Sequence, residues 1–472
     1  MGEMPVPSDV LYGASTQRAV LNFPISGRAV PEEVVRAYAL LKRAAARANE
    51  SLGKLPAAKA DAIDRACGEI LGGLGGRGGI GRHFPVDIFQ TGSGTSTNMN
   101  ANEVIANLVC LANGAEIGSS KNAEYLRGEA AVHPNDHVNM GQSSNDTFPT
   151  AMHVAAAVAI RERLLPAVRS LASALEEKAR AWDGVMKIGR THLADATPIR
   201  LGQEFSGYAS QMRHAEGRLE RAIETLRELA IGGTAVGTGI NTHPEFSALV
   251  CAQLGDATGI AFREAENHFE AQHAKDACVE ASGHLRTVAV SLSKIANDVR
   301  WLGSGPRCGI GELRLPAVQP GSSIMPGKVN PVICEAVMMV SCQVIGNDAA
   351  VASGGLGGIG SLLDLNVAMP MMAANLIDSV NLLSGACETF ESRLLDGLEP
   401  DRARCDALIE GSLAMCTSLV PEIGYDASAR LAYDAYEQGK TVRQVALEQG
   451  LVGEDRLAEL LDPRSMTEPS AD

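Results

Sequence analysis

Aromatic residues are scarce: two Trp, seven Tyr and nine Phe make up 4% of the 472 residues. β-Sandwiches and barrels draw heavily on aromatic and β-branched side chains. This scarcity, beside 45% hydrophobic residues rich in Ala and Leu, favours helices packed through small and aliphatic groups. The expected fold class is therefore all-α. Basic residues are outnumbered as well, 41 against 56 acidic, and the formal charge of -15 argues against a general nucleic-acid or anionic-membrane surface. An anionic ligand would have to be held by local positive groups. The ten cysteines, from Cys67 to Cys416, form no CxxC and have no His or Cys partners at zinc spacing, so buried reduced thiols and no metal are expected. No apolar stretch of about 18 residues is evident. The start, Met1 to Pro5, has no basic flank with an apolar run, and Val6 stands where a myristoylation signal needs Ser or Thr, so a cytoplasmic location is expected.

The length allows roughly three domains. Apolar residues recur every three or four positions through Phe205, Tyr208, Met212, Ala215, Leu219, Ala222, Leu226 and Leu229, a heptad seam. Further seams run Leu285 to Leu302 and Met369 to Leu394, with weaker ones from Val158 to Leu175, where Pro166 should kink the helix, and from Val337 onward. Five long helices predict a central bundle. Val337 to Val340 is apolar around more of the helix than one seam needs, which suggests burial against other subunits. Boundaries near residues 140 and 396 divide the chain into an N-terminal helical domain (1–140), the bundle (141–396) and a small C-terminal helical domain (397–472). Gly76 to Gly81 fits GxGxxG but follows no strand, so a surface loop is the better account. His133 and His137 are separated by Pro134 and lack a third zinc ligand.

Five polar patches suit ligand chemistry. From Gly321 to Pro331 no helical or strand period holds; Pro326, Gly327 and Pro331 favour a loop, while Ser322, Ser323, Lys328 and Asn330 could hold a carboxylate. Thr91 to Asn98 is a hydroxyl and glycine run ahead of a helix expected over residues 102–111, and Gln142 to Asp146 also precedes a long helix. Either could face an anion or merely cap the helix. Arg190 to Asp195 carries His192, and Glu335 could orient that imidazole if the fold joins them. His133 to Asp136 is a polar turn with donors.

Taken in order, TGSGT, HPND, QSSND, GRTHLADATP and GSSIMPGKVNP resemble the signature blocks of the fumarase/aspartase superfamily, and within it the class II fumarases, across nearly the whole chain. The resemblance implies a mostly helical three-domain subunit, a homotetramer with each active site shared by three subunits, a small dicarboxylate substrate and no cofactor. It implies that Ser322 removes the C3 proton of malate. Lys328, Asn330, Thr95, Ser143, Ser144, Asn145 and Thr191 would bind the carboxylates and the aci-carboxylate intermediate, with Ser93, Gly94, Ser323 and Val329 beside them. His192, paired with Glu335, would handle the departing water, and His133, Asn135 and Asp136 would form a secondary site near the entrance. An ammonia-lyase acting on L-aspartate is the rival, since TSTNMNANEVIAN and Asp136 to Met140 look aspartase-like. Aspartases typically carry Gln at His192 and Thr at Ser144, which favours water as leaving group. A non-catalytic relative is the third reading. Ala130 departs from the arginine many fumarases place at the secondary site, with Arg127 the nearest substitute, and Gly141 replaces a more usual serine.

Overall fold

The computed structural model describes residues 3–469. It is 63% helical and 6% strand, in line with the expected class. The elements that position the site are helix α1 (Glu32–Ser51), α2 (Thr95–Ala112), α3 (Ser144–Ala159), α4 (Leu165–Ala181), strands β1 (Met186–Thr191) and β2 (Ala194–Arg200), α5 (Leu201–Thr225), α6 (Asp276–Leu302), α7 (Val332–Gly355) and α8 (Met369–Phe390). The strands pair only in twos among the described residues.

Every named position of the Phe205 seam is buried, as are Leu285 to Leu302 and Met369 to Leu394 at heptad spacing. Burial at 3.5-residue spacing is what a bundle helix shows when one stripe meets its neighbours. Between α3 and α4 the chain widens into a π-type turn over Ile160–Leu164, immediately ahead of Pro166. Proline has no N–H to donate and crowds the preceding turn, so the expected kink takes the form of a π turn and the helix resumes. Helix α2 begins at Thr95, seven residues before the expected Asn102, because Gly94 adopts a left-handed conformation (φ 74°) that ends the loop there. The hydroxyl run is thus the first helical turn itself.

By internal packing the chain forms two compact units: the chain up to Pro166 with Gly217–Ala289 and Cys342–Ser384, and Ala167–Glu216 with Val290–Ser341 and everything from Gly385 onward. This division is discontinuous, unlike three consecutive segments, and all five long helices contribute residues to both units. In the second unit, the C-terminal segment packs its own cluster around Leu419, Leu431, Val445 and Leu457.

Two expectations need correction. Cys308 and Cys342 are exposed, and Cys416 is half-buried, whereas the other seven cysteines are buried. Helix α7 is also long and apolar enough to cross a membrane by length and composition. Single polar residues such as Glu335, Asn347 and Asp348 interrupt its apolar runs and hide this from a search for an unbroken stretch. Inside the first unit Asn347 Nδ2 donates to Asp378 and Ser379 at 3.1 Å, and Asp348 accepts from Ser282 and Arg286 at 2.7 Å, as in a packed protein helix. Val337, Val344 and Val351 are buried, but Met339 is 68% exposed.

Candidate active site

In the first unit, two helix starts meet. Gly94 brings the chain so close to Phe148 that a Cβ there would lie 1.9 Å from the ring, and Gly92 would meet the Val367 carbonyl at 1.6 Å. Only glycine permits this approach. It places Ser93 Oγ 2.9 Å from Thr95 Oγ1, and Thr95 Oγ1 2.7 Å from Ser144 Oγ. Three rotatable hydroxyls at the N-termini of α2 and α3 can all turn their protons toward an anion, in the positive field of two helix starts. Gly94→Ala combines a steric clash with positive-φ strain, so it is expected to destabilise the fold by about 3 kcal/mol. A thermal melt followed by circular dichroism checks this; an unchanged midpoint would show that Phe148 yields.

The capping reading of Gln142 to Asp146 holds for two of its members. Ser143 Oγ accepts the Asn145 N–H at 3.2 Å, and Asp146 Oδ1 accepts the Ser143 N–H at 2.9 Å, a reciprocal capping box. Asp146 Oδ2 also accepts from the Gly232 and Thr234 N–H groups at 3.1 and 2.9 Å. Burial pushes this carboxyl up, and the three backbone donors hold it down. Asn145 Nδ2 donates to the Ala235 carbonyl at 2.8 Å, so the loop at residues 232–235 braces the segment from outside. The Ser144 hydroxyl lies closest to Thr95 Oγ1, at 2.7 Å, and donates to Asn145 Oδ1 at 3.4 Å.

His133 caps a π turn over Pro134–Val138, its Nδ1 lying 3.3 and 3.2 Å from the Asn135 and Asp136 N–H donors and 3.1 Å from the Asp136 carboxylate. Much of this turn's hydrogen-bonding capacity is therefore used internally. Arg127 is exposed at the end of a short 3-10 turn, Tyr125–Arg127.

In the second unit, β1 and β2 form a hairpin whose two-residue tip is His192 and Leu193, at φ 57° and 60°. Such a tip normally calls for Asn-Gly, because left-handed backbone costs other residues about 1–2 kcal/mol each. The base of the hairpin holds it. Arg190 forms a two-pronged pair with buried Glu312 at 2.9 and 3.0 Å, and buried Lys187 lies 3.3 Å from Glu312 and from Glu204. Asp195 accepts from Ser412 at 3.2 Å. Strain maintained at an exposed histidine marks a site better than the histidine alone. Thr191 and His192 stand in solvent, and Leu193 is 67% exposed.

The loop from Gly321 to Asn330, also in this unit, is closed at its neck. The Gly321 N–H donates to the Lys328 carbonyl at 2.9 Å, and Asn330 Nδ2 donates to the Gly321 carbonyl at 2.6 Å. A Cβ on Gly321 would sit 2.2 Å from the Lys328 oxygen, so glycine is required at the neck. Within the loop, Ser322 Oγ accepts the N–H groups of Ile324 and Met325 at 3.2 and 3.1 Å. Lys328 and Val329 are exposed, and Ser323 lies at the surface beside Ser322. Asn330 therefore serves as a clasp, with one amide proton already engaged. Glu335 occupies the first turn of α7, exposed; among the described residues neither it nor His192 makes a side-chain hydrogen bond.

Three supporting groups were not singled out by the sequence: Lys42, Glu312, and Arg190 in its pairing role. Lys42 carried a legible signal, since it lies seven residues after Val35 and seven before Asn49, on the buried stripe of α1. Glu312 carried none, because its partners are far away in sequence.

Two families match the chain: a lyase family over residues 2–346 and the fumarase C C-terminus over residues 415–468. A fumarate hydratase class II of Neisseria meningitidis is 49% identical over 469 residues, 99% of this chain and 98% of that protein. The Corynebacterium glutamicum protein of the same name is 53% identical, covering 97% of this chain and 92% of its own length. Among solved structures, the class II fumarase of Schistosoma mansoni superposes with a TM-score of 0.90 at 38% identity, covering 98% of this chain and 97% of that one. Identity near one half over essentially full length, with the same fold, leaves one assignment: the chain is a lyase and belongs to the class II fumarate hydratase family.

Proposed function

We propose that this fumarate hydratase interconverts (S)-malate and fumarate by reversible anti elimination of water, with Ser322 as the base. The observation that carries the assignment is the pair of N–H groups donating to Ser322 Oγ. A serine hydroxyl is a weak base, and its alkoxide becomes usable only where donors already face it. Ser322 takes the C3 proton, and the electron pair left on C3 moves into the adjacent carboxylate as an aci-carboxylate. Collapse of that intermediate expels the C2 hydroxyl, which leaves as water with a proton from His192. Lys328, Asn330, Thr191 and the hydroxyls of Thr95, Ser143 and Ser144, with Asn145, hold the carboxylates, and most strongly the intermediate, whose aci-carboxylate group carries one negative charge more than the carboxylate it came from. Ser93, Gly94, Ser323 and Val329 line the same site.

His192 and the Ser322 loop stand exposed in one unit, and the hydroxyl cluster lies in the other. The exposed apolar positions of α7, Met339 and Ile345, support a homotetramer in which three subunits build each site, pair His192 with Glu335 and cover that face. The three-domain division at residues 140 and 396, a cytoplasmic location and cofactor-free chemistry belong to the same proposal. His133, Asn135 and Asp136 form a secondary carboxylate site, weakened by Ala130. Fumarate absorbance tests the reaction directly: it should rise with malate as sole substrate and stay flat with L-aspartate. A rise with aspartate alone would make this an ammonia-lyase, and none with either would leave a non-catalytic relative.

A further inference from the structure

Helix α1 carries one lysine where a solvated cation cannot be. Lys42 lies on the buried stripe with Val35, Tyr38 and Asn49, and its side chain is fully enclosed. Its Nζ donates to Asn98 Oδ1 at 2.8 Å, to Asn139 Oδ1 at 2.9 Å and to Gln142 Oε1 at 3.0 Å. A buried ammonium without partners is too costly to keep, and three amide oxygens match its three N–H groups. A neutral amine has two N–H groups and would turn its lone pair on the third oxygen.

The three amides belong to the segments that carry the proposed carboxylate donors. Asn98 is in the first turn of α2, three residues after Thr95, while Asn139 and Gln142 lead directly into Ser143 and Ser144. Asn98 and Asn102 also donate to Asn139 Oδ1, at 3.1 and 3.2 Å, and Thr147 donates to Asn98 Oδ1 at 3.2 Å. The cluster is a clasp between the two helix starts.

We propose that Lys42 is a positioning residue for substrate binding: its ammonium clasps the start of α2 to residues 139–142 and thereby sets the spacing of the Thr95 and Ser144 hydroxyls. Lys42 touches no substrate and acts through these neighbours. The inference rests on the reading of Thr95 and Ser143 to Asn145 as carboxylate donors. Around the ammonium stand the Tyr38 ring on α1, 6.0 Å away, Asp146 on α3 and the Cys67 thiol on the helix Ala57–Leu71. Burial pushes the ammonium down to about 7, against the pull of Asp146 and Cys67. The clasp is therefore complete below that pH and loses one hydrogen bond as the pH rises through it.

Steady-state kinetics of the full-length enzyme decide the matter. Lys42→Met, similar in length and uncharged, is expected to raise KM for malate about tenfold while kcat stays within about threefold, as loss of binding alignment without loss of the base requires. An unchanged KM in a folded Lys42→Met enzyme overturns the proposal. Should that variant fail to fold, Gln142→Leu serves instead: it leaves two amide oxygens, which a neutral amine can satisfy. The rise of wild-type KM above neutral pH should then flatten in Gln142→Leu, and a rise of equal size in both overturns the clasp. Ser144→Ala separates the two levels of inference. If Ser144→Ala leaves KM unchanged, the reading of the site fails; if it raises KM and Lys42→Met does not, the role of Lys42 fails.

Discussion

Ser322→Ala is expected to lower malate turnover by about a thousandfold or more while helix content and assembly state stay unchanged. The change removes one oxygen from an exposed loop whose neck is held elsewhere, by the Gly321 to Lys328 and Asn330 to Gly321 hydrogen bonds. The loop should keep its shape, and the Ile324 and Met325 N–H groups would simply face water. No other hydroxyl occupies that pair of donors, and neighbouring Ser323 makes no such bond among the described residues. Initial rates of fumarate formation, together with gel filtration and circular dichroism, measure the effect. Retention of more than about a tenth of wild-type turnover would remove Ser322 as the base, since a positioned proton acceptor contributes at least about a hundredfold.

His192→Asn should cost about a hundredfold or more in both directions, because the leaving hydroxyl loses its proton donor and the attacking water its acceptor. Asparagine suits the test structurally. It tolerates the left-handed backbone that His192 occupies at φ 57°, so the hairpin tip should be no more strained than before. A fall in rate would thus report the imidazole and not the turn. Rates of fumarate hydration and malate dehydration are the measurement, and equal activity of the variant and the wild type would return His192 to an ordinary surface residue. A residual gain of activity on L-aspartate in His192→Asn would instead show that this position selects the leaving group.

Much of the fold was legible because helices write themselves locally. The Phe205 seam predicted α5 through Ala222, since a stripe repeating every three or four positions can be buried in few other ways, but it ran on to Leu226 and Leu229, which are buried beyond the helix end at Thr225, Leu229 in a short strand. Pro166 likewise announced a disturbance, though its form as a π turn depended on how the next helix resumed. The start of α2 was misplaced by seven residues because Ser, Thr and Asn look like loop in sequence, yet Gly94 and Phe148 let them begin a helix. The apolar reach of α7 was missed for a related reason: isolated polar residues break a run but not a helix face.

For the candidate site, the sequence determined which chemistry is on offer: hydroxyls, amides, a lysine and a histidine in recognisable blocks, each near a helix start or a loop. Residue type and local spacing suffice for that. Tertiary structure alone decided what supports them. Asp146 ties Ser143 to the loop at residue 232, Glu312 anchors the strained tip of His192 through Arg190, and Lys42 joins α2 to the segment before Ser143. These partners lie 86, 122 and 56 residues apart. Hydrogen bonds at such separations leave no periodic trace, because their geometry depends on where helices cross and not on the order of residues along one of them.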